Sequence, residues 1–195
     1  AVGAAFYHLT PAFGTVPPQG EAFSSAGGTP ILFDYAGAPV MQVRAKPEVV
    51  APDGANTTFF GKDIADPGDG SDQDTLPNFF GTSAALGHAA ALATLLRAAN
   101  PALTPPQVVA ALTATALNME APGFDDITGY GLVQAIPALT QATRHTLMTT
   151  QTSTPSMALP GQPITYHFAF LNQGPNPARQ IVITGTLPTQ MAQVQ

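Results

Sequence analysis

Apolar and polar residues alternate in three textures along the chain. Residues 1 to about 60 carry short apolar runs broken by Gly and Pro, the pattern of strands and loops. Ala1–Phe6 predicts one strand. Glu48–Ala51, entered through Lys46-Pro47 and closed by Pro52-Asp53-Gly54, predicts a second, and Thr57–Phe60 a shorter third. Residues 82 to about 140 are helical in pattern. A first helix is expected from about Ser83 to Ala99, with Leu92, Leu95, Leu96 and Ala99 at helical spacing. It is apolar almost all round, which predicts burial in a core, and Asn100-Pro101 ends it. A second helix has a start signal in Thr104 as N-cap, Pro105 at the first position and Gln107 three residues after the cap. Val108, Ala111, Leu112 and Thr115 then keep one face. A Gly129-Tyr130-Gly131 turn leads into Leu132–Ala135.

Beyond residue 145 the helical pattern is gone. Thr149–Ser156, rich in Ser, Thr and Gln, predicts a linker over 146–158. Pro160-Gly161 then predicts a turn, and Ile164, Tyr166, Phe168 and Phe170 alternate with polar or small residues as in a strand. Asn172–Pro177 predicts a further turn and Ile181–Ile183 another strand. Residues 159–195 thus read as the opening strands of an all-β, Ig-like sandwich module. Such a module needs about 100 residues, so the chain is expected to stop within a domain.

Composition narrows the functional classes. Apolar residues make up 45% and charged residues 9%, so a core can form beneath a surface of Ser, Thr, Asn, Gln and Gly. A net charge of −6 with six Lys and Arg argues against nucleic acid and anionic membranes as partners, since both need clustered cations. The absence of cysteine excludes disulfides, thiolate metal sites and cysteine catalysis, and is compatible with export. No apolar run is long enough to span a bilayer. Ala1–Phe6 has no basic leader and no initiating Met, so the chain is expected to begin inside a fold.

Two features carry chemistry. Phe79-Phe80-Gly81-Thr82-Ser83-Ala84-Ala85 runs directly into the apolar helix. A serine at a helix mouth has advantages as a nucleophile, because unpaired first-turn amides and the positive dipole end face a developing oxyanion. Gly81 would let a substrate approach without a Cβ in the way. The same residues serve equally as an ordinary Ser or Thr N-cap. The second feature is Lys62–Asn78, which holds Asp63, Asp66, Asp69, Asp72 and Asp74, five of the twelve acids. Hard oxygens with Gly for sharp turns suit calcium, but the spacing is not that of an EF-hand, and a solvated acidic loop has the same composition. With no His or Cys nearby, zinc is not expected.

The wider sequence resembles the subtilisin-like serine proteases, the subtilases. Their nucleophile motif Gly-Thr-Ser-x-Ala-x-Pro-His is matched by Gly81-Thr82-Ser83-Ala84-Ala85-Leu86-Gly87-His88. Ala1-Val2-Gly3-Ala4 is similar to the family strand after the oxyanion asparagine, and Phe23-Ser24-Ser25-Ala26-Gly27 to its Phe-Ser-Ser-x-Gly element. Lys46–Gly54 resembles its Lys-Pro-Asp-x-x-Ala-Pro-Gly strand. Asn100-Pro101-x-Leu103-Thr104 and Gly129-Tyr130-Gly131-Leu132 match a helix break and a closing turn. The matches are collinear over residues 1 to about 136. Two departures stand out: Gly87 replaces the motif proline, and the acidic insertion before the serine is long.

The resemblance implies an α/β fold: residues 1–145 as the C-terminal part of a three-layer parallel-sheet domain, lacking its N-terminal portion. It makes Ser83 the nucleophile of a secreted or cell-surface endopeptidase acting on peptide or protein, with no cofactor required. The Asp, His and oxyanion Asn of the triad chemistry lie upstream of Ala1 in the family pattern. His88, five residues beyond Ser83 on the same helix and rotated by about 140° at helical pitch, is not expected to replace the missing base. His8, His145 and His167 have no motif. Because subtilases often brace loops with calcium, Asp66, Asp69, Asp72 and Asp74 are candidate ligands. Pro160-Gly161 and Asn172-Gln173-Gly174-Pro175 resemble repeat modules of secreted bacterial surface proteins. The alternative is a non-catalytic surface or adhesion protein that kept the subtilase scaffold, and a calcium-binding structural module is a third.

Overall fold

The computed structural model describes residues 1–58, 60–66, 72–145, 147–174, 178 and 181–186. They fall into two units, Ala1–Thr143 and Arg144–Gln195.

In the first unit, β1 (Val2–Phe6) and a later strand, β4 (Val49–Asp53), pair in parallel from Val2↔Val49 to Phe6↔Asp53. A parallel pair needs a long connection. Residues between them supply two short 3-10 turns and an antiparallel hairpin of β2 (Pro30–Phe33) and β3 (Pro39–Val43). After β4 come β5 (Ala55–Asn56) and β6 (Asn78–Phe79), an antiparallel pair that closes the acidic loop. Three helices follow: α1 (Thr82–Ala99), α2 (Pro105–Ala114) and α3 (Ala135–Thr143). Leu132 joins the parallel pair on the open side of β4: the Val50 amide donates to the Gly131 carbonyl and the Val133 amide to the Val50 carbonyl.

Both faces of this ribbon are buried. On one, Ala4 and Ala51 meet Ala85 and Ala89 of α1, and Val49 meets a cluster formed with Leu92, Leu96, Leu103, Val108, Leu112 and Ala138. On the other, Ala5 and Val50 meet Met119 and Leu132. Small residues along β1 and β4 let α1 lie close to the backbone. Continuous apolar strands covered on both faces are what a parallel α/β sheet requires. Among the described residues the helices gather around the Val49 face, while a non-helical segment, Leu117–Met119, meets the other.

The two predicted helices form. The Thr104 amide donates to Gln107 Oε1 at 2.8 Å, completing the capping box with Pro105 inside it. Burial of α1 is one-sided, however. Ala85, Ala89, Leu92 and Leu96 are covered, but Leu86 and Leu95 are each more than half exposed. The expectation of an all-round buried helix fails because strands and helices meet it along one stripe. The expected strand Thr57–Phe60 also fails. Pairing stops at Asn56, and the Thr57 hydroxyl donates to the Phe60 carbonyl, a local bond that competes with a strand ladder; Phe59 lies outside the described residues.

In the second unit, β7 (Leu147–Thr154) pairs antiparallel with β8 (Thr165–Asn172) through eight register pairs. The linker expected over 146–158 is thus mostly strand. Its threonines, unremarkable in a linker, are β-branched residues suited to a pleated surface. The Pro160-Gly161 turn forms, held by the Gln162 amide on the Leu159 carbonyl and by the Leu159 amide on Gln162 Oε1, both at 3.0 Å. Residues 181–186 form no strand, so the strand expected at Ile181–Ile183 is not formed; pairing partners are absent among the described residues. The expected Asn172–Pro177 turn is seen only at its start, where Asn172 Oδ1 accepts from the Gly174 amide, since Pro175–Pro177 lie outside the described residues.

Candidate active site

The site is built where the end of β4 meets the start of α1. Gly81 is the N-cap of α1 at φ 129°, ψ 158°, a conformation open to glycine and strained for any side chain. Its carbonyl accepts from the amides of Ala84 and Ala85. Its own amide donates to Asp53 Oδ2 at 2.7 Å. Next to it, the Gly54 amide donates to the Phe79 carbonyl at 2.8 Å. Asp53 and Gly54 therefore grip both sides of Phe80. Gly54 itself, at φ 73°, has no room for a Cβ, which would lie 2.7 Å from the Phe6 ring and 2.8 Å from Phe80.

Ser83 is the second residue of α1 and is exposed. Among the described residues nothing hydrogen-bonds its hydroxyl, and the amides of Thr82 and Ser83 have no acceptor. A free hydroxyl next to free first-turn amides is the arrangement that stabilises negative charge on an attacked carbonyl. A groove of about 340 Å³ opens beside it, lined by Ser83, Gly87, His88 and Ala91 on α1 and by Ala55, Asn56, Thr57 and Phe79 opposite. Gly87, where the family motif has proline, contributes no side chain to that groove, and a Cβ there would meet nothing within 4 Å.

His88 lines the same groove, and its Nδ1 lies 3.2 Å from the Ala84 carbonyl, one turn back along its own helix. That bond requires the proton on Nδ1. His8 stacks among Phe6, Tyr7 and Phe13, and His167 sits in β8 opposite Thr152. His8 does not line the groove.

Asp53 is the residue the sequence reading missed. It is fully buried, and its Oδ1 has no partner among the described residues. Burial pushes its carboxyl above the ordinary range, against the opposing pull of the Gly81 amide and of His88. Glu21 is pushed the same way, by burial first and by the Asp53 charge second. The only local signal for Asp53 was an acid closing the apolar run Val49-Val50-Ala51-Pro52.

Three of the four candidate calcium ligands, Asp66, Asp72 and Asp74, lie among the described residues. Asp69 lies outside the described residues. Asp72 is buried, with Oδ2 accepting from Asn78 Nδ2 at 2.7 Å. Asp74 accepts from Asn56 Nδ2 and from the Leu76 amide, both at 2.6 Å. Among the described residues no three His, Cys, Asp or Glu form a group able to hold a metal. The loop is tied instead by Asn78, which also donates to the Gly54 carbonyl and to Asn56 Oδ1 and accepts from the Ile64 amide.

Residues 22–131, more than half of the chain, match the subtilase family (Peptidase_S8). Mycosin-1 of Mycobacterium tuberculosis (strain ATCC 25618 / H37Rv) is 45% identical over 60 residues, which are 31% of this chain and 13% of that protein. The chain thus spans a small part of the relative's length. The psychrophilic subtilisin-like protease Apa1 from Pseudoalteromonas sp. AS-11 is 34% identical over 37% of this chain and 17% of its own, with a TM-score of 0.34. Fervidolysin from Fervidobacterium pennivorans, a keratinolytic enzyme related to subtilisin, is 19% identical over 87% of this chain and 25% of its own, with a TM-score of 0.48. On the match over residues 22–131, the chain belongs to the subtilase family.

Proposed function

We propose that this chain supplies the nucleophile of a secreted or cell-surface serine endopeptidase. The observation that carries the reading is Ser83: an exposed hydroxyl at the mouth of α1, unbonded among the described residues and beside first-turn amides with no acceptor among them, in a chain of this family. A general base takes the Ser83 proton, Oγ attacks the scissile carbonyl, and the oxyanion is held by first-turn N–H groups. The C–N bond then breaks, the amine leaves with a proton, and water hydrolyses the acyl-enzyme. No histidine in the described groove serves as that base in this reading, since His88 sits on the same helix with its Nδ1 turned to the Ala84 carbonyl. The base, its aspartate and the oxyanion asparagine are supplied by sequence outside these 195 residues.

The full-length protein should hydrolyse an unstructured protein substrate, and Ser83→Ala should abolish that hydrolysis. The isolated 195-residue chain should be inert. Turnover by the isolated chain that disappears in Ser83→Ala would refute the division of residues proposed here. The reading as a non-catalytic surface or adhesion protein predicts no turnover from the full-length protein, and no Asp-x-Gly, His-Gly-Thr or oxyanion Asn encoded ahead of Ala1.

A calcium ion beside the acidic loop is favoured by one observation, the buried Asp72 Oδ1 with no partner among the described residues. The reaction needs none. If calcium binds there, the melting temperature rises with calcium and falls with chelator, and Asp72→Asn removes the response; an unchanged melting temperature removes the ion from the account.

A further inference from the structure

We propose that Asp53 is a positioning residue for the nucleophile, an inference that rests on the reading of Ser83 above. The reacting hydroxyl sits on the second residue of a helix whose N-cap, Gly81, has no side chain to lock it. What fixes Gly81 comes from β4. Asp53 Oδ2 accepts the Gly81 amide at 2.7 Å, from a carboxyl with no exposure to solvent. The neighbouring bond, from the Gly54 amide to the Phe79 carbonyl, fixes the chain two residues earlier and does not involve a side chain. Thus the strand-to-helix connection is held at Phe79 by backbone and at Gly81 by one carboxylate oxygen. Loss of that oxygen frees the N-cap while leaving β4, β6 and the body of α1 paired.

The second oxygen strengthens the case for a dedicated role. Oδ1 is buried without a partner among the described residues, and a buried acid is costly unless something offsets it. Among the described residues two carboxylate oxygens carry that cost, Asp72 Oδ1 in the acidic loop and Asp53 Oδ1, and the latter stands beside the first turn of the nucleophile helix. Oδ2 accepts the Gly81 proton whether or not the carboxyl is ionised, so the function assigned is that of a fixed acceptor. An amide side chain can provide the same acceptor.

The test uses the full-length protein with Asp53→Ala and Asp53→Asn. Asp53→Ala should lower kcat about 10- to 100-fold, the scale on which small misplacements of a reacting group act, with KM within about twofold. Asp53→Asn should restore most of kcat. In parallel, amide hydrogen exchange resolved at Gly81 should show protection lost in Asp53→Ala and kept in Asp53→Asn, with α1 beyond Ala89 unchanged. Wild-type kcat in Asp53→Ala, or a change confined to KM, overturns the proposal. If the wild-type protein proves inert, the protease reading falls on its own. The exchange arm still decides for Asp53: equal Gly81 protection in wild type and Asp53→Ala overturns the clamp.

Discussion

The parallel pair β1–β4 and the antiparallel pair β7–β8 are both two-stranded ribbons, and the longer one does less. β7 and β8 share eight register pairs, yet nearly every residue on them is exposed, including Phe168 and Phe170. β1 and β4 share five, and Ala4, Ala5, Val50, Ala51 and Asp53 are buried at or below 1% exposure. Pairing alone satisfies backbone groups. Covering both faces fixes side chains, and only the covered ribbon can aim a carboxyl such as Asp53 at the start of a helix. The candidate site stands where coverage is greatest.

That contrast can be broken most strongly in the core. Leu96→Ala, at a side chain with no exposure, should lower the unfolding free energy by about 3 kcal/mol. Phe168→Ala, half exposed on β8, should cost under about 1 kcal/mol. Urea denaturation of the full-length protein measures both, and equal losses would erase the distinction. Gly131→Ala should rival the core change. It stands at φ 107°, with its missing Cβ only 2.0 Å from the Leu117 carbonyl, where nothing flexible can give way.

Two acids of the first unit should respond to pH in opposite senses. Burial raises the Asp53 carboxyl, so between the ordinary carboxyl range and that raised value the native state holds a proton the unfolded state has lost. Its contribution to stability therefore falls as pH rises through that window, and Asp53→Asn should flatten this slope. Asp125 is desolvated too, but the amides of Thr128 and Ile127 and the Thr128 hydroxyl outweigh that and lower its value. Its contribution is present above the ordinary range and is lost as pH falls through the depressed value, so Asp125→Ala should blunt acid sensitivity. Stability profiles of the two variants against wild type would show the opposite slopes. The smallest effect is expected at Gly87→Ala, a gain of about 1 kcal/mol from helix propensity at an open, exposed position.

Elements whose instructions are local were legible in the sequence. The capping box at Thr104–Gln107, the apolar runs of β1 and β4 and the Pro160-Gly161 turn all carry them within a few residues. The β2–β3 hairpin was missed although Asp34 marks its turn, its Oδ1 accepting from the Ala36 and Ala38 amides. Its strands are exposed on both faces and so lack the alternation that announces a half-buried strand. α3 falls largely within the stretch read as helical to about residue 140, but its bounds were not legible because Pro137 interrupts the pattern near the start. Ser83 stood out in the sequence through its motif, whereas Asp53 did not. The bond that matters for Asp53 spans 28 residues and depends on Phe79–Gly81 folding back onto β4. No spacing rule in the sequence reports such a contact.

The central claim is that Ser83 is the nucleophile, and covalent labelling tests it without any choice of peptide substrate. The full-length protein should be treated with a fluorophosphonate and the modified residue located by mass spectrometry. The account predicts a single adduct on Ser83, formed at a rate that collapses on denaturation and absent in Ser83→Ala. An active protein whose adduct lies elsewhere, or native protein left unlabelled at Ser83, would contradict it.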